Sequence, residues 1–342
     1  MDGLRLTQLV KGGGCARKLP AEELVEVLGA LPGMTHPWLS AETGAMDDAA
    51  IVYPSESGPG LVLTVDVITP IVDDPADFGR IAAANAISDV YAMGGVPTVA
   101  LSIVGLPEVV GRDVLVAVLR GASEVAAEAG CAIVGGHSLR DSEPKFGLAV
   151  VGSVERGQAW SQRRARAGHA LVLTKPLGVG VLAQAARQGN DVPGALAGAV
   201  RWMRTLNRRA AELGRRYGAT AATDVTGFGL LGSLKHLCEA SGVAARIEAR
   251  AVPLMAHALD AARADQVPGG SRRNARYVAK NLELSPELDP ALVLLLSDAQ
   301  TSGGLLLSLP AESASALVGE LGEGSALIGE LESGSPGTMR VV

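Results

Sequence analysis

Aromatic residues are scarce: phenylalanine, tryptophan and tyrosine together make up 3 % of the 342 residues. The apolar fraction is nonetheless 48 %. The hydrophobic mass is therefore Ala, Val and Leu, the composition of an α/β enzyme with Ala-rich helices. Cysteine is equally sparse. Cys15, Cys131 and Cys238 are odd in number and far apart, which argues against a disulfide framework and against a cysteine-based zinc site. A net charge of −6 lacks the basic footprint of a nucleic-acid binder. The run Arg163-Arg164-Ala165-Arg166 is short and reads as a solvated linker. No apolar run approaches the roughly 18 to 20 residues that span a bilayer, and the N-terminus lacks a signal peptide's charged start and apolar core. The reading is a soluble, cytoplasmic protein with no nucleic-acid or membrane partner. Phosphate-loop, zincin and nucleophile-elbow motifs are also missing.

What is present is length for about two domains and 43 glycines, many placed just after apolar runs. Residues 1–18 carry no period and read as a flexible, glycine-rich arm. Pro20–Leu31 reads as a helix with Leu24, Val25 and Leu28 on one face. Strands are expected at 49–54, 61–68, 96–105, 131–138 and 146–154, and helices at 77–93 and 112–129. Residues 155–168 have no apolar period. The boundaries are set at 19–156 for an N-terminal domain, 157–168 for a linker and 169–342 for a C-terminal domain. The second half is expected to hold a strand at 170–178, a long helix near 197–217 and a helix after 223–232. Strands come in pairs between helices, which favours two mixed α/β (α+β) domains over a doubly wound nucleotide fold.

The chemistry is carried by aspartates at strand ends and loop edges. Asp47 and Asp48 precede an apolar strand, and Asp66 lies inside one. Asn85 and Asp89, four apart on a helix, share a face. Asp224 sits in a Gly/Thr-rich loop. An isolated carboxylate in apolar surroundings costs several kcal/mol unless it is paired or metal-bound. Carboxylates without Cys or His partners favour Mg²⁺. Gly135-Gly136-His137-Ser138 reads as a strand running into an anion nest, with similar loops at 226–229 and 301–304. Together these point to a nucleoside triphosphate and phosphoryl transfer. In KGGGCARK (11–18), Arg17 and Lys18 flank Cys15 and are expected to lower its pKa. Cys131 and Cys238 read as core residues.

With GGGC..K, MDDAAIV, TVDVITPIVDDPADFGRIAAANAISDVYAMGG, GGHS, LTKPLGVGVL, TDVTGFGLLG, VPGGSRRN and QTSGGLLL in order, the chain resembles the selenophosphate synthetase (selenide, water dikinase) family nearly end to end. The resemblance implies two domains of the aminoimidazole-ribotide-synthetase type, with N-terminal domains pairing in a homodimer. It implies ATP, Mg²⁺ and K⁺, and conversion of selenide, ATP and water to selenophosphate, AMP and phosphate. A selenium-delivery protein is an implied partner. By position, Cys15 and Lys18 would be catalytic, and Asp48, Asp89 and Asp224 would bind Mg²⁺. Lys18, Ala45, Met46, Asp47, Asp66, Asp89, Gly136, His137 and Ser138 would contact ATP. Asn85 would lie beside the metals. The family arm commonly carries a second cysteine where this chain has Arg17, and Ala299 stands where proline is usual.

Overall fold

A computed structural model describes residues 5–19, 23, 26, 27, 30, 36–40 and 47–342. Most of the helix expected at Pro20–Leu31 lies outside the described residues, as do Ala45 and Met46.

The first half is a mixed five-stranded sheet, ordered β1-β2-β5-β3-β4. Its strands are β1 (Ala50–Val52), β2 (Gly60–Ile68), β3 (Val96–Leu106), β4 (Ala132–Arg140) and β5 (Lys145–Val154). Helices α1 (Pro75–Ala92) and α2 (Arg112–Glu128) belong to this half. Asp74 caps α1, which starts two residues before the expected 77: its side chain accepts from the Asp77 N–H, with Pro75 following in the first turn, where a missing N–H costs nothing. Small residues let α1 and α2 touch backbone to backbone. A Cβ on Gly79 would meet the Val118 carbonyl oxygen at 1.9 Å, and one on Gly121 would meet that of Ala76 at 2.0 Å. The helix pair is thus close-packed through small residues, and the core beneath it includes buried Phe78 edge-on to Phe146 at 6.3 Å between ring centres. One face of the sheet stays open. Leu63, Val65, Val99, Leu101 and Val134 are exposed large hydrophobics.

The second half is a seven-stranded sheet ordered β7-β10-β6-β11-β8-β12-β9. Its strands are β6 (His169–Leu173), β7 (Ala221–Asp224), β8 (Ala244–Ile247), β9 (Leu282–Leu284), β10 (Leu305–Pro310), β11 (Ala326–Glu332) and β12 (Met339–Val341). Its helices are α3 (Val179–Arg187), α4 (Ala195–Arg204), α5 (Arg208–Arg216), α6 (Gly229–Ser241), α7 (Ala258–Arg263), α8 (Gly269–Val278), α9 (Pro290–Leu296) and α10 (Ala311–Leu321).

One local expectation is corrected. The long helix at 197–217 is two helices, α4 and α5, broken at Thr205–Asn207. The break serves distant partners. Buried Lys175 donates to the Thr205 carbonyl at 2.6 Å and to that of Ser302 at 2.9 Å. Asn207 donates to Ser88 Oγ and to the Gly303 carbonyl. In the basic run Arg163 and Arg166 are exposed, as expected of a solvated stretch, while Ala159, Trp160, Ser161, Gln162 and Ala165 around them are buried.

Candidate active site

Three aspartates from three elements meet where the two halves join. Asp48 precedes β1, Asp89 comes from α1, and Asp224 ends β7. One carboxylate oxygen from each lies within 4.8 Å of the others. Threonines orient them: Thr223 Oγ1 donates to Asp48 Oδ1 at 3.0 Å, Thr64 Oγ1 to Asp89 Oδ2 at 2.5 Å, and Thr226 Oγ1 to Asp224 Oδ1 at 3.2 Å. Burial, then repulsion from Asp224, pushes Asp48 and Asp89 well above the usual carboxylate range. Burial also raises Asp224, against the pull of Lys18. Among the described residues, Asp48 Oδ2 and Asp224 Oδ2 are buried without a hydrogen-bond partner. Crowded carboxylates with unsatisfied oxygens are costly in a protein interior, and a divalent cation relieves both faults at once. The donors are hard oxygens only, which suits Mg²⁺.

The glycine-rich arm is docked against this cluster. Thr7 donates to Asp73 through its N–H at 2.9 Å and its hydroxyl at 2.7 Å. Gly14 N–H donates to the Thr69 carbonyl at 3.0 Å. Leu6, Val10 and Cys15 are buried. At the arm's end Lys18 Nζ donates to Asp66 Oδ2 at 2.8 Å, and Asn85 Nδ2 donates to the same oxygen at 2.7 Å. Asn85 Oδ1 accepts from Cys15 Sγ at 3.3 Å and from the Ser302 N–H at 2.8 Å. Cys15 N–H donates to Thr301 Oγ1 at 3.0 Å. Asn85 therefore joins the arm, α1 and the 300–304 loop in one network.

The electrostatics correct one expectation. Cys15 is not activated in this docked arm. Burial pushes its thiol up to about 12, and Lys18 only partly offsets this. Lys18 itself is drawn down by burial, but Asp66, Cys15 and Asp89 outweigh that and hold its ammonium well above the ordinary range. Cys131 and Cys238 are buried, as expected of core residues.

Other expected residues lie apart. Both Asp47 oxygens are taken by the 161–162 segment: Ser161 Oγ donates at 2.9 Å and Gln162 N–H at 2.8 Å. Gly136, His137 and Ser138 are not in a loop. They lie within exposed β4, in parallel register with Ser102, Ile103 and Val104 of β3. Asp66, Leu148, Ser102 and Gly136 pair in a row across the sheet, so Gly136 stands three strand spacings, about 14 Å, from Asp66. The sequence reading does not single out Thr64 or Thr223, and it takes Thr301 and Ser302 as part of a phosphate-binding loop without their contacts to Cys15 and Asn85. Thr64 had a signal, since it shares a strand face with Asp66 by the two-residue period.

Comparison with known proteins agrees with this architecture. The chain matches the AIR synthase related protein family, its N-terminal domain over residues 46–154 and its C-terminal domain over residues 166–342. It is similar to a selenide, water dikinase of Carboxydothermus hydrogenoformans, at 40 % identity over 94 % of this chain and 93 % of that one. A selenide, water dikinase of Pseudomonas aeruginosa is 44 % identical over 94 % of each chain. Among solved structures, AaThiL complexed with AMPPCP and TMP superposes with a TM-score of 0.67 at 21 % identity, covering 100 % of this chain and 96 % of that one; this likeness shows the fold. By sequence and by architecture, the chain belongs to the selenide, water dikinase family, built on paired AIR synthase related domains.

Proposed function

We infer that this protein is an ATP-dependent kinase that makes selenophosphate from selenide, ATP and water and releases AMP and phosphate, supplying selenium for selenocysteine and selenouridine. The observation that carries this reading is the docking of a Cys15–Lys18 arm against three crowded carboxylates with unsatisfied oxygens. Identity of 40 % and 44 % over 94 % of the chain to two selenide, water dikinases supports it.

Asp48, Asp89 and Asp224 would hold Mg²⁺, which when bound compensates the charge of the nucleotide phosphates. Lys18, fixed by Asp66, would direct its charge at the transferring phosphoryl group. Asp66 and Asp89 would orient the nucleotide, with Asp47, Gly136, His137 and Ser138 as further contacts. Potassium rests on the family resemblance alone. Cys15 would meet selenium as a protonated thiol while the arm is docked, and Asn85 fixes its direction. The docked arm keeps water from the reacting groups. Arm opening and closing is part of this reading, and so is the division into 1–18, 19–156, 157–168 and 169–342. The open apolar face of Leu63, Val65, Val99, Leu101 and Val134 supports a homodimer through the first sheet. Among the described residues no helix is long and apolar enough to cross a membrane. A cytoplasmic site of action, with selenide handed over by a delivery protein, completes the proposal.

Cys15→Ser tests the catalytic thiol. Selenide-dependent AMP formation should fall to background while ATP still binds. Full turnover in this variant would remove Cys15 from the mechanism.

A further inference from the structure

The motif VPGGSRRN has no part in the site described so far, yet α8, which it opens, forms a wall beside Cys15. A cavity of about 250 Å³ lies between the arm and α8. Cys15 and Lys18 line one side, and Arg273, Asn274, Arg276 and Tyr277 the other. Gly227 and Phe228 close it from the loop that carries Asp224. We propose that this cavity is the docking site of the anionic selenium substrate, hydroselenide, before it meets the nucleotide. This rests on the function proposed above.

Four observations support the assignment. The first is charge. Among the described residues three cations line the cavity and no carboxylate does. Arg276 is exposed and forms no ion pair among the described residues, so its charge is available to a ligand. The second is size. The volume falls below the roughly 300 to 1,000 Å³ of pockets for drug-sized molecules and suits an anion of a few atoms with its water.

The third is rigidity. Ser271 Oγ donates to buried Asp298 at 2.7 Å. Asn274 Nδ2 donates to the Gly227 carbonyl at 2.8 Å and to that of Ser297 at 3.2 Å. The wall is therefore held before any ligand arrives. Tyr277 is fixed from behind, since its hydroxyl accepts from Lys235 Nζ at 3.2 Å and lies 3.0 Å from His236 Nε2. The fourth is fit to the arm. A Cβ on Gly270 would come within 3.0 Å of the Ala16 carbonyl oxygen, so glycine is what allows the docked arm to complete the cavity. A soft anion seated there lies beside both the thiol and the ammonium that the proposed reaction uses.

The test is steady-state kinetics under anaerobic conditions with sodium selenide and Mg·ATP, on wild type, Arg276→Ala and Arg276→Lys. Arg276→Ala should raise KM for selenide about tenfold, leave KM for ATP within twofold and keep kcat at saturating selenide. Arg276→Lys should recover most of the loss. Melting temperatures equal to wild type show that the variants are folded. An unchanged KM for selenide, or KM values for selenide and ATP that rise together, overturns the cavity assignment alone. A wild-type protein with no selenide-dependent turnover overturns the function and the assignment with it.

Discussion

Replacing Gly14 with alanine should unlatch the arm, and the size of the effect follows from the structure. Gly14 has φ +61, a region that costs an L-residue about 1–2 kcal/mol. Its new Cβ would fall 2.2 Å from Thr301 Oγ1 and 3.0 Å from Ile71 Cδ1. Thr301 must then turn away and release the Cys15 N–H, a hydrogen bond worth about 1 kcal/mol. The sum is about 2–3 kcal/mol against the docked state, or roughly 30- to 150-fold in its equilibrium with the open arm. The readout is alkylation of thiols under native conditions. Cys15 is 1 % exposed, Cys131 2 % and Cys238 0 %. Cys15 reaches solvent by arm opening, whereas the other two require opening of the core. In Gly14→Ala, Cys15 labelling should rise by the factor above, with Cys131 and Cys238 unchanged. A Cys15 rate equal to wild type would refute the latch. Equal acceleration of all three thiols would show loss of the fold instead.

Three further outcomes are expected. Asp224→Asn should weaken Mg·ATP binding at least tenfold by calorimetry; an unchanged affinity removes Asp224 from the metal set. His236 is lowered to about 4 by burial and by Lys235, against Glu239. The unfolded chain therefore binds a proton below about 6.5 that the folded chain refuses until about 4. Stability from this residue is full above pH 6.5 and falls by about 3 kcal/mol as pH drops through that window. Denaturant titrations of His236→Phe should show a shallower acid loss than wild type, and parallel curves would contradict the assignment. Leu101→Asp, placed on the open sheet face, should give a monomer by sedimentation, whereas a persistent dimer would locate the interface elsewhere.

The parts legible in the sequence were those fixed by local chemistry. β2 is read from its apolar pattern, and α1 from an aspartate near its start and the glycine pair that ends it. The aspartates stood out because carboxylates inside apolar stretches need a reason. What was not legible depends on residues far away in the chain. The break at Thr205–Asn207 is held by Lys175, Ser88 and Gly303, none of them local. Thr301 meets Cys15 across 286 positions and Ser302 meets Asn85 across 217, so neither contact leaves a spacing to read. The glycines of GGHS suggest that the strand gives way to a nest there, yet pairing with β3 carries β4 on to Arg140. The neighbouring cations suggested an acidic Cys15, but burial, which only the tertiary fold supplies, decides its pKa.

The most direct test of the central claim is phosphorus NMR of the wild-type protein with Mg·ATP and selenide under strictly anaerobic conditions. The account predicts a new resonance split by coupling to selenium, growing in step with AMP and phosphate. ATP that binds but is not consumed, or that yields only ADP and phosphate with no selenium-coupled signal, would contradict it.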